Sequence, residues 1–101
     1  ATSGVPQIVA DGRPSVWALL PVAPNPLRAA GRVTFDVPRH AQVRLALVDL
    51  AGREVDVLSN GELEPGRFSV QLDARSRPPG VYFLQLVSSG VRLQRAVVLI
   101  R

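Results

Sequence analysis

Cysteine, methionine and lysine are all missing from this 101-residue chain, and histidine occurs once. Without cysteine there is neither a disulfide framework nor a thiolate metal site. The one histidine, His40, is too few for a multi-histidine metal centre; beside Pro38 it reads as a solvated loop residue rather than the base of a triad. The glycine patterns that cradle phosphates are missing, and no loop gathers the several oxygen ligands of a Ca²⁺ site. The acid pairs Asp49 with Asp73 and Glu62 with Glu64 fall at turn signals, where carboxylates cap backbone groups or face water. Aromatics make up only 5% of the residues. A carbohydrate-binding module needs exposed aromatics, and these five fall mostly at strand-core positions, with Trp17 read as a core or interface anchor. No apolar run approaches the roughly 20 residues of a transmembrane helix. The reading is a non-catalytic chain with no metal and no cofactor.

The lack of lysine also governs how the charge is read. All twelve basic residues are arginine against eight acids, which gives a net charge of +4 and a pI near 11.3. Arginine stays charged to very high pH, so its exclusive use inflates the pI. The arginines are scattered from Arg13 to Arg101, and the one close pair, Arg75 and Arg77, lies in a proline-rich turn. No basic stripe with interleaved aromatics is present, which argues against nucleic acid as a partner.

What the chain does have is proline and glycine, nine and eight residues respectively. They divide it into apolar runs of a length that suits a sandwich or barrel. Val33, Phe35 and Val37 alternate with polar residues, and so do Val43, Leu45 and Leu47. Such period-two patterns mark half-buried strands. Pro38-Arg39-His40-Ala41 reads as a hairpin-like turn between these two strands. Asp49-Leu50-Ala51-Gly52-Arg53 reads as a tight turn, with Gly52 available for positive φ. Ser59-Asn60-Gly61-Glu62 is a further turn signal, and Pro65-Gly66 fits positions i+1 and i+2 of a type II turn. Phe68, Val70 and Leu72 share one strand face. Val81 to Val87 and Arg92 to Ile100 form a last hairpin, apolar enough to predict two-sided burial for both strands. The expectation is an all-β, antiparallel sandwich of about seven strands, immunoglobulin-like or fibronectin-III-like, over residues 16–101. Residues 1–15 read as an extension, either a linker or an added edge strand. A chain opening Ala1-Thr2-Ser3-Gly4 is read as processed or excised from something longer.

The motifs Pro24-Asn25-Pro26, Asp49-Leu50-Ala51-Gly52-Arg53, Glu64-Pro65-Gly66, Pro79-Gly80-Val81-Tyr82 and Arg95-Ala96-Val97-Val98-Leu99-Ile100-Arg101 follow one another from Pro21 onward. In that order and spacing the chain resembles the C-terminal sorting domain of type IX secretion cargo, and the related Ig-like domain of flagellar hook-capping proteins. The resemblance implies a seven-stranded sandwich in an exported protein, read by an outer-membrane secretion apparatus and in many cases anchored at the cell surface of a Gram-negative-type bacterium. It places the sorting strand at Arg95, Val97, Val98, Leu99, Ile100 and Arg101. Each motif also has a local physical role. Asn25 between two prolines fixes a bend that its side chain can cap, and Tyr82 can place its hydroxyl at a sandwich corner. Gly80 lets the chain swing into a central strand.

Two functions follow as expectations: a sorting and cell-surface attachment module whose partner is the secretion machinery, or a self-assembling filament or surface-layer subunit whose partner is a neighbouring copy. In the second, the extended segment containing Val5, Gln7, Ile8 and Val9 adds a strand to a neighbour's open edge.

Overall fold

The computed structural model describes the backbone of Gln7–Ile8 and all of residues 14–101. The chain runs through eight strands, β1 (Gln7–Ile8), β2 (Ala18–Leu19), β3 (Ala30–Val37), β4 (Ala41–Val48), β5 (Glu54–Leu63), β6 (Gly66–Asp73), β7 (Gly80–Ser88) and β8 (Val91–Leu99), with one 3₁₀ turn at Ala74–Ser76. Two antiparallel sheets form, in the orders β1-β6-β3-β2 and β5-β4-β7-β8. Six of the strands are eight to ten residues long, and β1 and β2 have two residues each.

Alternation decides which side chains meet between the sheets. Val33, Phe35 and Val37 of β3 and Phe68, Val70 and Leu72 of β6 are buried on one side; Val43, Leu45 and Leu47 of β4 and Leu84 and Leu86 of β7 are buried on the other. Phe35 and Phe68 are cross-strand partners with ring centroids 5.8 Å apart. Such a tilted aromatic pair adds to the area both rings bury.

Several sequence expectations are corrected by the way the chain moves between layers. Pro38-Arg39-His40 does not close a hairpin: β3 and β4 lie in different sheets, so this segment is an arch across the sandwich. Ser59-Asn60-Gly61-Glu62 is not a turn either. It lies inside β5, where Asn60 pairs with Arg44 and Gly61 with Val43. Once the turn at residues 49–53 folds β5 back along β4, the full ladder to Ala41 outweighs a local turn preference. Two register shifts along β4 and β5 absorb the mismatch.

Pro65-Gly66 is likewise no type II turn. Gly66 is absent from the glycines with positive φ; it opens β6 and pairs with Val37. The chain passes there from one sheet to the other, which calls for an extended step rather than a reversal. The expected two-sided burial of the last hairpin is corrected: burial along β7 alternates, with Tyr82, Leu84 and Leu86 inside and Val81 exposed, although the strand is central in its sheet. β7 lies between β4 and β8, whereas β8 is an edge strand with Arg92, Gln94, Arg95 and Ala96 exposed.

Candidate recognition surface around the last strand

The edge of β8 is covered along half of its length by the Pro24-Asn25-Pro26 segment. Ala23 is tied to Arg32 of β3 by a pair of backbone hydrogen bonds, which anchors the segment to the first sheet. Two residues later the Asn25 side chain reaches β8. Its Nδ2 donates to the Ala96 carbonyl at 3.3 Å, and its Oδ1 accepts from the Val98 N–H at 3.1 Å. Leu27 completes the seam, donating to the Val98 carbonyl at 2.7 Å and accepting from the Ile100 N–H at 2.9 Å. The amide of Asn25 therefore acts as a piece of strand. Its anticipated role as a cap on its own bend is corrected, because both of its hydrogen bonds go to a strand more than 70 residues away. Prolines suit this position, since they have no N–H to leave unpaired at a sheet margin.

Gly31 makes this docking possible, and nothing in the local sequence marks it. A Cβ at Gly31 would collide with the fully buried Leu27 side chain and lie 3.2 Å from the Ala23 carbonyl oxygen. Gly31 is flanked by Ala30 and Arg32 in an ordinary strand, so only the close approach of the crossing segment reveals its role.

The two basic residues bracketing the closing strand are both engaged within the chain. Arg95 Nε donates to the Leu19 carbonyl at 2.7 Å, linking β8 to β2 across the open side of the sandwich. Arg101 spreads its guanidinium over the loop after β6, donating to the carbonyls of Ala74 at 3.1 Å and Arg77 at 3.0 Å. Arg28 in turn donates to the Arg101 carbonyl at 2.6 Å. Val97 and Leu99 are buried, Val98 is half-buried, and Ile100 holds its place through its backbone bond to Leu27. At the start of β7, Gly80 takes φ +151° and Tyr82 buries its ring while its hydroxyl donates to the Pro78 carbonyl at 2.7 Å. Pro24, Asn25, Pro26, Gly80, Tyr82 and the closing strand thus gather at one end of the second sheet.

The remaining motif residues lie elsewhere. Asp49 organises the β4–β5 turn. It accepts from the backbone N–H groups of Ala51 and Arg53 and from the Arg53 guanidinium, with Gly52 at φ +85°. The Arg53 N–H contributes most to holding the Asp49 carboxyl below its usual range. Asp73 does the same for the 3₁₀ turn, where the Arg75 side chain lowers its pKa most. Pro65 and Gly66 sit at the crossing between β5 and β6.

His40 departs from its reading as a merely solvated residue. It is exposed, yet its Nδ1 lies 2.8 Å from Glu64 Oε2 and its Nε2 lies 2.9 Å from Glu62 Oε1. A neutral imidazole has only one N–H, so this arrangement suits the protonated ring. The hydrogen bond to Glu64, then that to Glu62, raises the pKa of His40. The carboxylates stand on opposite sides of the ring and do not converge on a point. Among the described residues no group of three or more His, Cys, Asp or Glu is arranged to hold a metal ion.

Of the segment expected to add a strand, Gln7 and Ile8 form β1 and pair with Ser69 and Phe68 of β6 in the same chain. Val5 and Val9 lie outside the described residues. Among the described residues no helix is long and apolar enough to cross a membrane.

Comparison with known proteins adds one match. A family model described as the secretion system C-terminal sorting domain covers residues 21–100. No curated protein and no solved structure matches.

Proposed function

This chain belongs to the family of secretion system C-terminal sorting domains, and from that premise we propose that its sorting signal is the face built on β8 and the Pro24–Leu27 segment. Membership makes it a sorting module of an exported protein, with the secretion machinery as its partner and a secreted or cell-surface destination. The finer reading is a non-catalytic module that also directs attachment at the surface of a Gram-negative-type bacterium. The observation that carries the choice of face is the seam of Asn25 and Leu27 on β8, which joins the first and last family motifs into one continuous backbone surface. A rigid surface of this kind can be recognised without a flexible tail having to order on binding.

Deleting Arg92 to Arg101 from a precursor tests the reading. Cargo carrying the deletion is expected to accumulate in the periplasm, and normal export of the truncated precursor would overturn it. The domain division proposed with it places residues 16–101 in the module and residues 1–15 in an extension. No specific observation favours the filament reading, because Gln7–Ile8 already occupy the β6 edge of their own chain.

A further inference from the structure

The Pro24–Leu27 seam leaves the first half of β8 uncovered, and a cleft opens there. The outward direction of the β8 backbone follows from the seam itself. Val98 turns both its N–H and its carbonyl toward Asn25 and Leu27, and Ala96 turns its carbonyl the same way. The two-residue period of a strand then turns the N–H and carbonyl groups of Gln94 and Arg92 outward as well. Among the described residues no strand pairs with them on that side.

Facing this open stretch is the margin of the first sheet. Between the two lies a cleft of about 320 Å³ lined by Trp17, Ala18, Leu19, Leu93, Gln94 and Arg95 among others. Its polar character is one-sided. The indole N–H of Trp17 is buried and has no hydrogen-bond partner among the described residues. Arg95 donates its Nε to the Leu19 carbonyl, and among the described residues the rest of its guanidinium fork has no partner. Arg39 stands over the Trp17 ring at 5.6 Å from its centroid. Neither Arg39, Arg92 nor Arg95 takes part in any of the ion pairs found among the described residues. The cleft thus offers several donors and an excess of positive charge, beside an unpaired strand edge.

We propose that the open half of β8 and the cleft beneath it bind an extended, acidic peptide segment of the partner. The segment adds a strand at Arg92–Gln94 and places a carboxylate against Arg95 and the Trp17 N–H. Backbone pairing supplies sequence-independent attachment, and the alternate side chains that enter the cleft supply selectivity. A carboxylate suits the site because it only accepts hydrogen bonds, and the side-chain groups of Trp17 and Arg95 that face it are donors. The proposal rests on the sorting reading only for the identity of the partner as part of the secretion machinery; the binding chemistry stands on the cleft alone.

Trp17 is the sole tryptophan, so its fluorescence reports on the site directly. The probes are the blocked pentapeptide Thr-Val-Glu-Val-Thr, the same peptide with Gln in place of Glu, and sodium acetate. With the whole 101-residue chain, the Glu peptide is expected to shift the Trp17 emission saturably and to move the backbone amide resonances of Arg92 and Gln94. The Gln peptide should bind about tenfold more weakly, the loss of one charge-assisted contact. Arg95→Gln should erase that preference, and Arg39→Gln, which breaks no backbone tie, should reduce it. Gln94→Pro, which removes an outward N–H that the fold does not use, should weaken both peptides alike.

Equal binding of the two peptides would overturn the proposal. So would amide shifts confined to other strands, no saturation at millimolar peptide, or acetate reproducing the Trp17 response with Arg92 and Gln94 unmoved. The β8 deletion is scored separately. Trapped cargo together with a silent cleft removes only the peptide site, whereas normal export of that truncation together with peptide binding removes only the sorting reading.

Discussion

At the scale of single residues, His40 and Asn25 carry the sharpest consequences. His40 joins the β3–β4 arch to the end of β5 through Glu62 and to the β5–β6 crossing through Glu64. Its folded-state pKa is raised above the ordinary imidazole value of about 6.5, first by the hydrogen bond to Glu64 and then by that to Glu62. The contribution to stability is therefore fully present below the unfolded-state value and is lost as pH rises through the folded-state value. Because the ring is exposed, the effect on stability is small and the titration itself is the better readout. NMR titration of the His40 ring should give a midpoint above 6.5, with Glu64→Gln lowering it more than Glu62→Gln; a midpoint at or below 6.5 in the unaltered chain contradicts the clamp. Asn25→Ala strips both side-chain bonds from Ala96 and Val98. A loss of about 1–2 kcal/mol is expected in chemical denaturation, with faster hydrogen exchange at the Val98 amide. Unchanged exchange there would mean that the seam is held by Leu27 alone.

At the scale of elements, the corners and crossings determine what the strands can do. Gly31→Ala places a methyl group where the Leu27 side chain and the Ala23 carbonyl already stand. Overpacking of this kind costs about 1–3 kcal/mol. It should also loosen the Pro24–Leu27 segment, visible as exchange at Leu27 and Ile100 more than at the β4–β7 ladder. Tyr82→Phe keeps the ring in the core and loses only the hydroxyl bond to Pro78. It should lower stability by about 0.5–1.5 kcal/mol in a denaturant titration and leave the core packing intact. A larger loss would show that the Tyr82 hydroxyl carries more of the corner than one bond.

The long strands were legible at this scale because apolar alternation needs no partner to be visible. Val33-Phe35-Val37 and Phe68-Val70-Leu72 read as strand faces and are buried as faces. The connections were less legible. Asn60-Gly61 is a sound turn signal in isolation, and only the length of the β4 ladder draws it into β5. Pro38 and Pro65 announce breaks in strands, yet a proline does not say whether the chain reverses within a sheet or crosses to the other one. Sheet assignment depends on which hydrophobic face meets which, a contact between residues distant in sequence.

For the molecule as a whole, the two sheets are joined along one margin by a few contacts: the Asn25 side chain and the Leu27 backbone at one end of β8, and the Arg95 side chain to the Leu19 carbonyl nearer its middle. Leu27 is the hydrophobic member of this set, and its truncation to Ala should cost about 2–5 kcal/mol by cavity formation. A cargo carrying that variant should lose export in proportion to the unfolded fraction of the module. Its stability is measured by thermal unfolding of the isolated chain, and a strongly destabilised module that still sorts at full rate would show that the folded face is not the signal.

The amino-acid sequence alone determined the β class, the strand faces, the exclusion of thiolate and multi-histidine metal sites, and the family, since each of these is written in local alternation, residue inventory or motif order. The tertiary structure decided the rest. It made β8 an edge strand, turned Asn25 from a bend residue into a strand surrogate, set His40 between two carboxylates, and gave Gly31 a reason to be glycine. All four depend on backbone segments that meet only when the two sheets close over a common core, and no local pattern records which segments those are.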